Sequence, residues 1–466
     1  MVSLKDLSSY DIGGSERISR LCAVPVKEVT GNAYISEYYP EINVNREMFN
    51  TSSSRMASYK SVLIPVNEHI IKRITRTFFE SGFQEALFEA RSAQSAAQSP
   101  IICSLAEYAH RIIDFLNKCK FMILPHLKDQ DTRCITKYTQ TRDWTKSCIR
   151  WIVWHPNCFK IAVAGSDDII RIYKDEPAIV PVLKHPNQRS ITCMAWRPYS
   201  SSELTVGCED GICHWTIENS KPASQILFLK HPKHYPVIAV EWNPDGTLLA
   251  SSSIGSADVL IWNVDMIENS PLRRVGPSCS LLKWSPDGSS LFSSTISNVF
   301  RVWSTDCWTP ERWTINFGQI QSAAWSPCGK FLLFVTSEES FLYRLQFVEE
   351  QLFATSNLPK QALPIADLTK VTVGYRELGG LPQSIAWDPH GRYLAVIFKD
   401  TSCIAIFMTS LTKFNLNISP SCFLTGIGSE YPSFICFQSI NRRNSDSVLT
   451  IGWSSGRIQY FPFVNI

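Results

Sequence analysis

Along most of the chain the hydrophobic residues fall in short runs separated by turn-forming residues. Residues 281–304 read LLKWSPDGSSLFSSTISNVFRVWS: an apolar run ends in Trp284, S-P-D-G follows, a second run rises after it, and a third ends in Trp303. Short runs rich in β-branched and aromatic residues, bounded by Pro, Asp, Gly and Ser, predict strands. Ser285-Pro286-Asp287-Gly288 predicts the turn between the first two. Proline suits the position of a type I turn that wants φ of about −65°, and glycine suits the exit. Proline also lacks an N–H, so it ends the ladder of the strand before it. ITCMAW, ELTVGC and ICHWTI repeat the arrangement, as do IAVEW, LLASSS and VLIWNV.

Two markers recur with this pattern. Trp154, Trp196, Trp242, Trp284, Trp325 and Trp387 each open a W-x-P, at intervals of 42, 46, 42, 41 and 62 residues. Each is followed by a second aromatic, at Tyr173, Trp215, Trp262, Trp303, Tyr343 and Phe407, after 19, 19, 20, 19, 18 and 20 residues. Two markers holding one offset through six copies predict four-stranded blades repeating as in a β-propeller. FICF (434–437), SVLTIGW (447–453) and RIQYF (457–461) predict three strands of a seventh blade, with Phe437 in place of the first tryptophan. The expected fold is therefore all-β: a seven-bladed propeller over 129–466, with an insertion near 348–380 read as a loop between blades. The tryptophans hold strand positions at a fixed offset, so they are expected in the core and not as platforms for nucleotides.

The period changes before the propeller. Residues 1–60 form an expected extended segment with a Ser-rich patch, TSSSRMAS (51–58), and residues near 20–40 are expected to close the ring by pairing with the last blade. A helical region is expected over 61–128. Ile70, Ile71, Ile74, Phe78, Leu87 and Ala90 follow a helical period between the cap Asn67 and the stop Ser99-Pro100. Leu105, Ala109, Ile112, Ile113, Leu116 and Cys119 form the stripe of a second helix. Two readings of these faces stand: packing on the propeller and on each other, or docking of a partner around Phe78, Phe79, Phe83, Ile112 and Phe115. Glu80, Glu85, Glu89 and Asp114 interrupt any basic face of the membrane-surface kind.

Composition narrows the function classes. The chain has 466 residues, is 44% hydrophobic and 12% aromatic, and carries a formal charge of +3, so a large core is available and a polyanion-binding excess is not. Its 15 cysteines show no C-x-x-C spacing, which predicts reduced thiols and no zinc or disulfide framework. No signal-peptide core and no window of 18 apolar residues is found. G-x-S-x-G, the P-loop, H-E-x-x-H and G-x-G-x-x-G are all missing, and the nine histidines are scattered. No catalytic, cofactor-binding or metal-ligating residues are expected. Asp167 and Asp168 read as turn caps or partners of a blade histidine before they read as cation ligands.

The repeated W-x-P and the aromatic about 19 residues on resemble the WD-repeat family. His185 and His231 stand near that family's histidine place, and Asp167 or Asp168, Asp210 and Asp258 near its aspartate place. Within it, WHPNCFKIAVAGSDDIIRIY (154–173), IVPVLKHPNQRSITCMAWRP (179–198), residues 281–304 and IGWSSGRIQYFPFVN (451–465) resemble a WD-repeat nucleoporin, as do VTGNAYISEYY (29–39) and FMILPHL. The chain stops at Phe461-Pro462-Phe463-Val464-Asn465-Ile466, where vertebrate members continue into a proline-rich tail. The resemblance implies a non-enzymatic scaffold of the nuclear pore complex, held at the nuclear envelope by an integral pore-membrane nucleoporin and in contact with other pore subunits. It implies a supporting role in nucleocytoplasmic protein transport, with indirect membrane association and no cofactor, small-molecule substrate or direct nucleic-acid contact. Two other classes compete. A ubiquitin-ligase substrate receptor would favour W-D-x-R, where this chain has IWNVD and RVWST. A propeller enzyme would need polar groups at equivalent inner-strand places, and none is apparent.

Overall fold

The computed structural model describes residues 2–4, 39–44, 132–174, 180–217, 224–347, 362–373, 376–412, 415–427, 429–439 and 447–463, with short stretches between 71 and 112. The strand register explains the repeat. In blade 4, Cys279–Trp284, Ser290–Thr295, Val299–Ser304 and Pro310–Thr314 pair antiparallel in chain order, and Leu291 faces both Trp284 and Trp303 across the ladders. Blades 1, 2, 3 and 6 have the same four-stranded order, with inner strands Ile149–Trp154, Cys193–Trp196, Val237–Trp242 and Pro382–Trp387. Blade 5 begins at Ile320–Trp325. Blade 7 has three strands, Pro432–Phe437, Ser447–Trp453 and Ile458–Phe463.

Each inner strand packs against those of the blades on either side, and blade 7 meets blade 1, so the seven close a ring. The apolar core is divided accordingly. Seven clusters each lie between two neighbouring blades, in place of one central core. Blades buried on both faces read as apolar throughout, and Phe331–Thr336 is fully buried along its length.

The W-x-P turn works as its chemistry demands. Gly246, Gly288, Gly329 and Gly391, each four residues after a first tryptophan, have φ of +70° to +74°, a conformation in which a Cβ is strained. Their N–H groups close the turn onto the residue after the tryptophan, as Gly288 does to Ser285 at 2.9 Å. Ser285 and Ser326 then cap the next strand by accepting the N–H of Ser290 and Phe331 at 2.9 and 3.0 Å.

Three features depart from the expected layout. First, the ring closes through 39–44: Val44 donates its N–H to Gly456 and Ile458 donates to Ile42, at 2.8 and 3.0 Å, supplying the missing edge of blade 7. Residues 20–38 lie outside the described residues. Second, Val2–Ser3 adds a parallel fifth strand to blade 5 beside Leu363–Asp367, and Leu4 is buried between blades 5 and 6. Residues 2–4 and 39–44 thus belong to the propeller unit, which comprises 1–49 and 132–466; residues 50–131 form a separate unit. Third, the stretch expected as an inter-blade loop contains structure. Leu363–Asp367 is the outer strand of blade 5, and Val371–Val373 pairs with Arg376–Leu378 in a hairpin. Residues 348–361 lie outside the described residues.

Candidate functional site

The first tryptophans are pegs between blades. The indole N–H of Trp154 donates to Thr450, of Trp196 to the Val153 carbonyl, of Trp242 to Thr205, of Trp284 to the Glu241 carbonyl and of Trp325 to the Lys283 carbonyl, at 2.7–3.2 Å. Every acceptor lies on the preceding blade. All five rings are buried. Trp387 departs from this: it is half-buried and donates to Thr409 of its own blade at 3.2 Å.

The second tryptophans bond within their blade or its entry loop. Trp262 donates to Ser251, Trp303 to Ser293 and Trp215 to Gln188, at 2.8, 2.9 and 2.8 Å. This accounts for one buried hydroxyl in each of the second strands LASSS and SLFSST: Ser251 and Ser293 satisfy indoles that have no water to bond.

The histidine place needs a correction. His231 is not the buried partner; His234 is, with Nε2 at 2.8 Å from Ser251 and Nδ1 at 3.3 Å from Ser253. In blade 2 the same place, eight residues before the first tryptophan, holds Gln188 and not His185. The aspartates also act on backbone. Asp168 accepts the N–H of Ile191, and Asp258 that of Arg274, in the loops entering the next blades.

Burial, with a smaller push from His231, holds the His234 imidazole down to about 3. The folded state keeps this ring neutral, while the unfolded chain takes up a proton below about 6.5. Its contribution is therefore whole above about pH 6.5 and declines by about 1.4 kcal/mol per pH unit as pH falls towards 3. His234→Gln, which copies blade 2, is expected to remove that slope. The stability difference between the two proteins, measured by urea unfolding from pH 7 to 4, should shift steadily in favour of the variant. A difference that does not change with pH contradicts this account.

The two ends of the channel differ. Inner strands begin at one end, and there residues 132–147 cross the ring as a plug. It comprises the helix Thr132–Tyr138 and the turns after it. Thr139 accepts the side-chain amides of Gln321 and Gln383, at 3.3 and 3.1 Å. Arg142 donates to the carbonyls of Phe398 and Thr401 through its guanidinium and to Ser433 through its backbone. Trp144 donates to Ile191 at 3.1 Å, and with Ile135 packs on Ile238 and Ile254. The plug thereby ties blades 2, 3, 5, 6 and 7 together.

Inner strands end at the other face. A cavity of about 530 Å³ runs from Gln140 of the plug to the W-x-P turns. The residue before each first marker contributes to its wall: Val153, Ala195, Glu241, Lys283, Ala324, Ala386 and Cys436. Five of these seven are uncharged. Lys283 lies 3.5 Å from Glu241, whose other oxygen accepts the Trp284 N–H at 2.9 Å. Enclosure pushes the Glu241 carboxyl and the Cys436 thiol up, and Lys283 opposes the first shift. This wall presents a compensated ion pair and a protonated thiol with no histidine beside them. Among the described residues no group of three His, Cys, Asp or Glu side chains is placed to hold a metal.

Comparison with known proteins matches the same ring. The Aladin seven-bladed propeller family covers residues 130–464, which is the plug and all seven blades. Aladin of Arabidopsis thaliana is 30% identical over 351 residues, covering 68% of this chain and 76% of that protein. The chain belongs to the Aladin propeller family. Solved structures show the fold more distantly. The β-propeller domain of Myceliophteria thermophila Cps50 (Swd1) matches at a TM-score of 0.52 and 14% identity, over 68% of this chain and 98% of that one. A chain of the mitotic checkpoint complex matches at 0.51 and 15%, over 68% and 90%.

As a member of the Aladin family, the chain is a WD-repeat scaffold-type protein. The family match begins at the plug. No short motif in TRCITKYTQTRDWTKS marks a plug, so the sequence pattern alone missed it. Of the expected docking residues, Phe78, Phe79, Phe83 and Phe115 lie outside the described residues. Ile112 is exposed, as is Leu105 on the same expected stripe, while Ala106 is buried.

Proposed function

We propose that the protein is a non-enzymatic scaffold subunit of the nuclear pore complex, held at the nuclear envelope by an integral pore-membrane nucleoporin and supporting nucleocytoplasmic protein transport. The observation that carries this reading is the Aladin family match over residues 130–464, which spans the worn seventh blade as well as the regular ones. A ring whose blades are pegged to one another and plugged at one end offers a rigid body with two loop-covered faces, on which several subunits can dock at once. No helix among the described residues is long and apolar enough to cross a membrane. In this proposal attachment is through the partner, and neither direct nucleic-acid contact nor a small-molecule substrate has a part.

A tagged full-length protein is expected at a punctate nuclear rim. Proximity labelling there should mark an integral membrane nucleoporin and other pore subunits. A diffuse cytosolic or nucleoplasmic signal would sink the proposal.

A further inference from the structure

We propose that the plug-side end of blade 4 is a phosphate-binding site built on Arg274 and Arg301, with Arg312 beside them. Blade 1 supplies the internal comparison. Arg171 and Arg301 stand at the same place, two residues before the second marker of their blades, Tyr173 and Trp303. Arg171 has a carboxylate partner four residues earlier: its Nη2 lies 2.8 Å from Asp167 Oδ2. In blade 4 that position is Ser297, followed by Asn298 where blade 1 has Asp168. Ser297 turns to Thr295 at 3.0 Å. Arg301 is 9% exposed, and its guanidinium donates to the Val275 carbonyl at a long 3.5 Å.

Arg274 compounds the imbalance. All three of its guanidinium nitrogens are buried and have no hydrogen-bond partner, and the same holds for Ser280 Oγ nearby in the chain. Asp258, the carboxylate at this loop, accepts the Arg274 backbone N–H through Oδ1 at 3.3 Å and makes no hydrogen bond to the Arg274 guanidinium. Arg312 faces Arg301 directly across the outer ladder, an arrangement that like charges disfavour. Burial pushes the Arg301 pKa down, and Arg274 and Arg312 push it further. There is also room. Gly276 takes the place that Gln188 and His234 fill in blades 2 and 3, and a Cβ on it would meet nothing within 4 Å.

A buried guanidinium without an acceptor, as in Arg274, carries a desolvation cost, and the single long bond of Arg301 offsets little of its own. A tetrahedral dianion offers both the charge and the several acceptors that the missing carboxylate of blade 4 does not. A carboxylate brings one charge to three arginines; a phosphate brings nearly two. The ligand is free phosphate or the phosphate monoester of a phosphorylated side chain, which share this chemistry.

The test uses the full chain. Thermal unfolding is followed at pH 7 in phosphate and in chloride of equal ionic strength. At a phosphate concentration ten times its Kd, the Tm should rise by about 2 °C. Arg274→Gln and Arg301→Gln should lose this response. Ser297→Asp installs the carboxylate that blade 1 has; it should raise the Tm in chloride and abolish the phosphate response. O-phosphoserine acting at lower concentration than inorganic phosphate assigns the site to a phosphorylated side chain; the reverse order assigns it to the free ion. The proposal is overturned by a wild-type Tm indifferent to phosphate, by an undiminished response in Ser297→Asp, or by equal stabilisation with acetate.

Discussion

Replacing Ile42 and Val44 together by aspartate is expected to unlatch the ring and remove about 5–8 kcal/mol of stability. Both side chains are buried, at 1% and 0% exposure, in the cluster that joins blade 7 to blade 1. Losing the transfer energy of two such side chains costs about 3–6 kcal/mol. Releasing the segment also removes two backbone hydrogen bonds, each worth about 1 kcal/mol. Against a usual total of about 5–15 kcal/mol this is most of the reserve. Asn43, between them, faces outward, so Asn43→Asp should stay within about 0.5 kcal/mol of wild type. Urea unfolding of the three proteins checks this. A double variant that unfolds at the wild-type urea concentration would show that the strand is not the latch.

Trp453→Ala is the second large effect, expected at about 3–5 kcal/mol. The ring of Trp453 has no exposed surface and sits between blades 6 and 7, with its N–H on Gln459 at 3.0 Å. The backbone has been made to fit it: a Cβ on Gly426 would lie 2.7 Å from the ring. Surroundings this rigid cannot collapse into the space left by truncation. Trp387→Ala provides the contrast. That ring is half-buried and bonds its own blade, so its loss should cost less than half as much. Denaturant midpoints decide between them, and equal losses at the two sites would contradict the placement of Trp453 as the deeper peg.

Much of this was legible in the sequence, and the reason is local. A blade is made by neighbours in the chain: apolar runs, a W-x-P turn with glycine at the left-handed exit, and a second aromatic at a fixed offset. Those rules placed the strands of blade 4 and the three strands of blade 7 close to where they lie. They erred where a signal was read by resemblance instead of register. His231 was expected at a place that His234 holds three residues later, because only the approach of the next blade decides which imidazole reaches Ser251. Gln188, at the same offset, bears no sequence mark of its kinship with a histidine.

The sequence by itself determined the repeat, the strand character of each run, the turn residues and the worn seventh blade, since side-chain periodicity and turn chemistry act within a few residues. Only the tertiary structure decided which distant backbone caps the open edge of blade 7, that 132–147 plugs the channel, and that Arg301 lacks the acid Arg171 has. A sheet edge offers N–H and C=O groups that any extended segment can satisfy, so its partner is chosen by chain geometry and not by a motif.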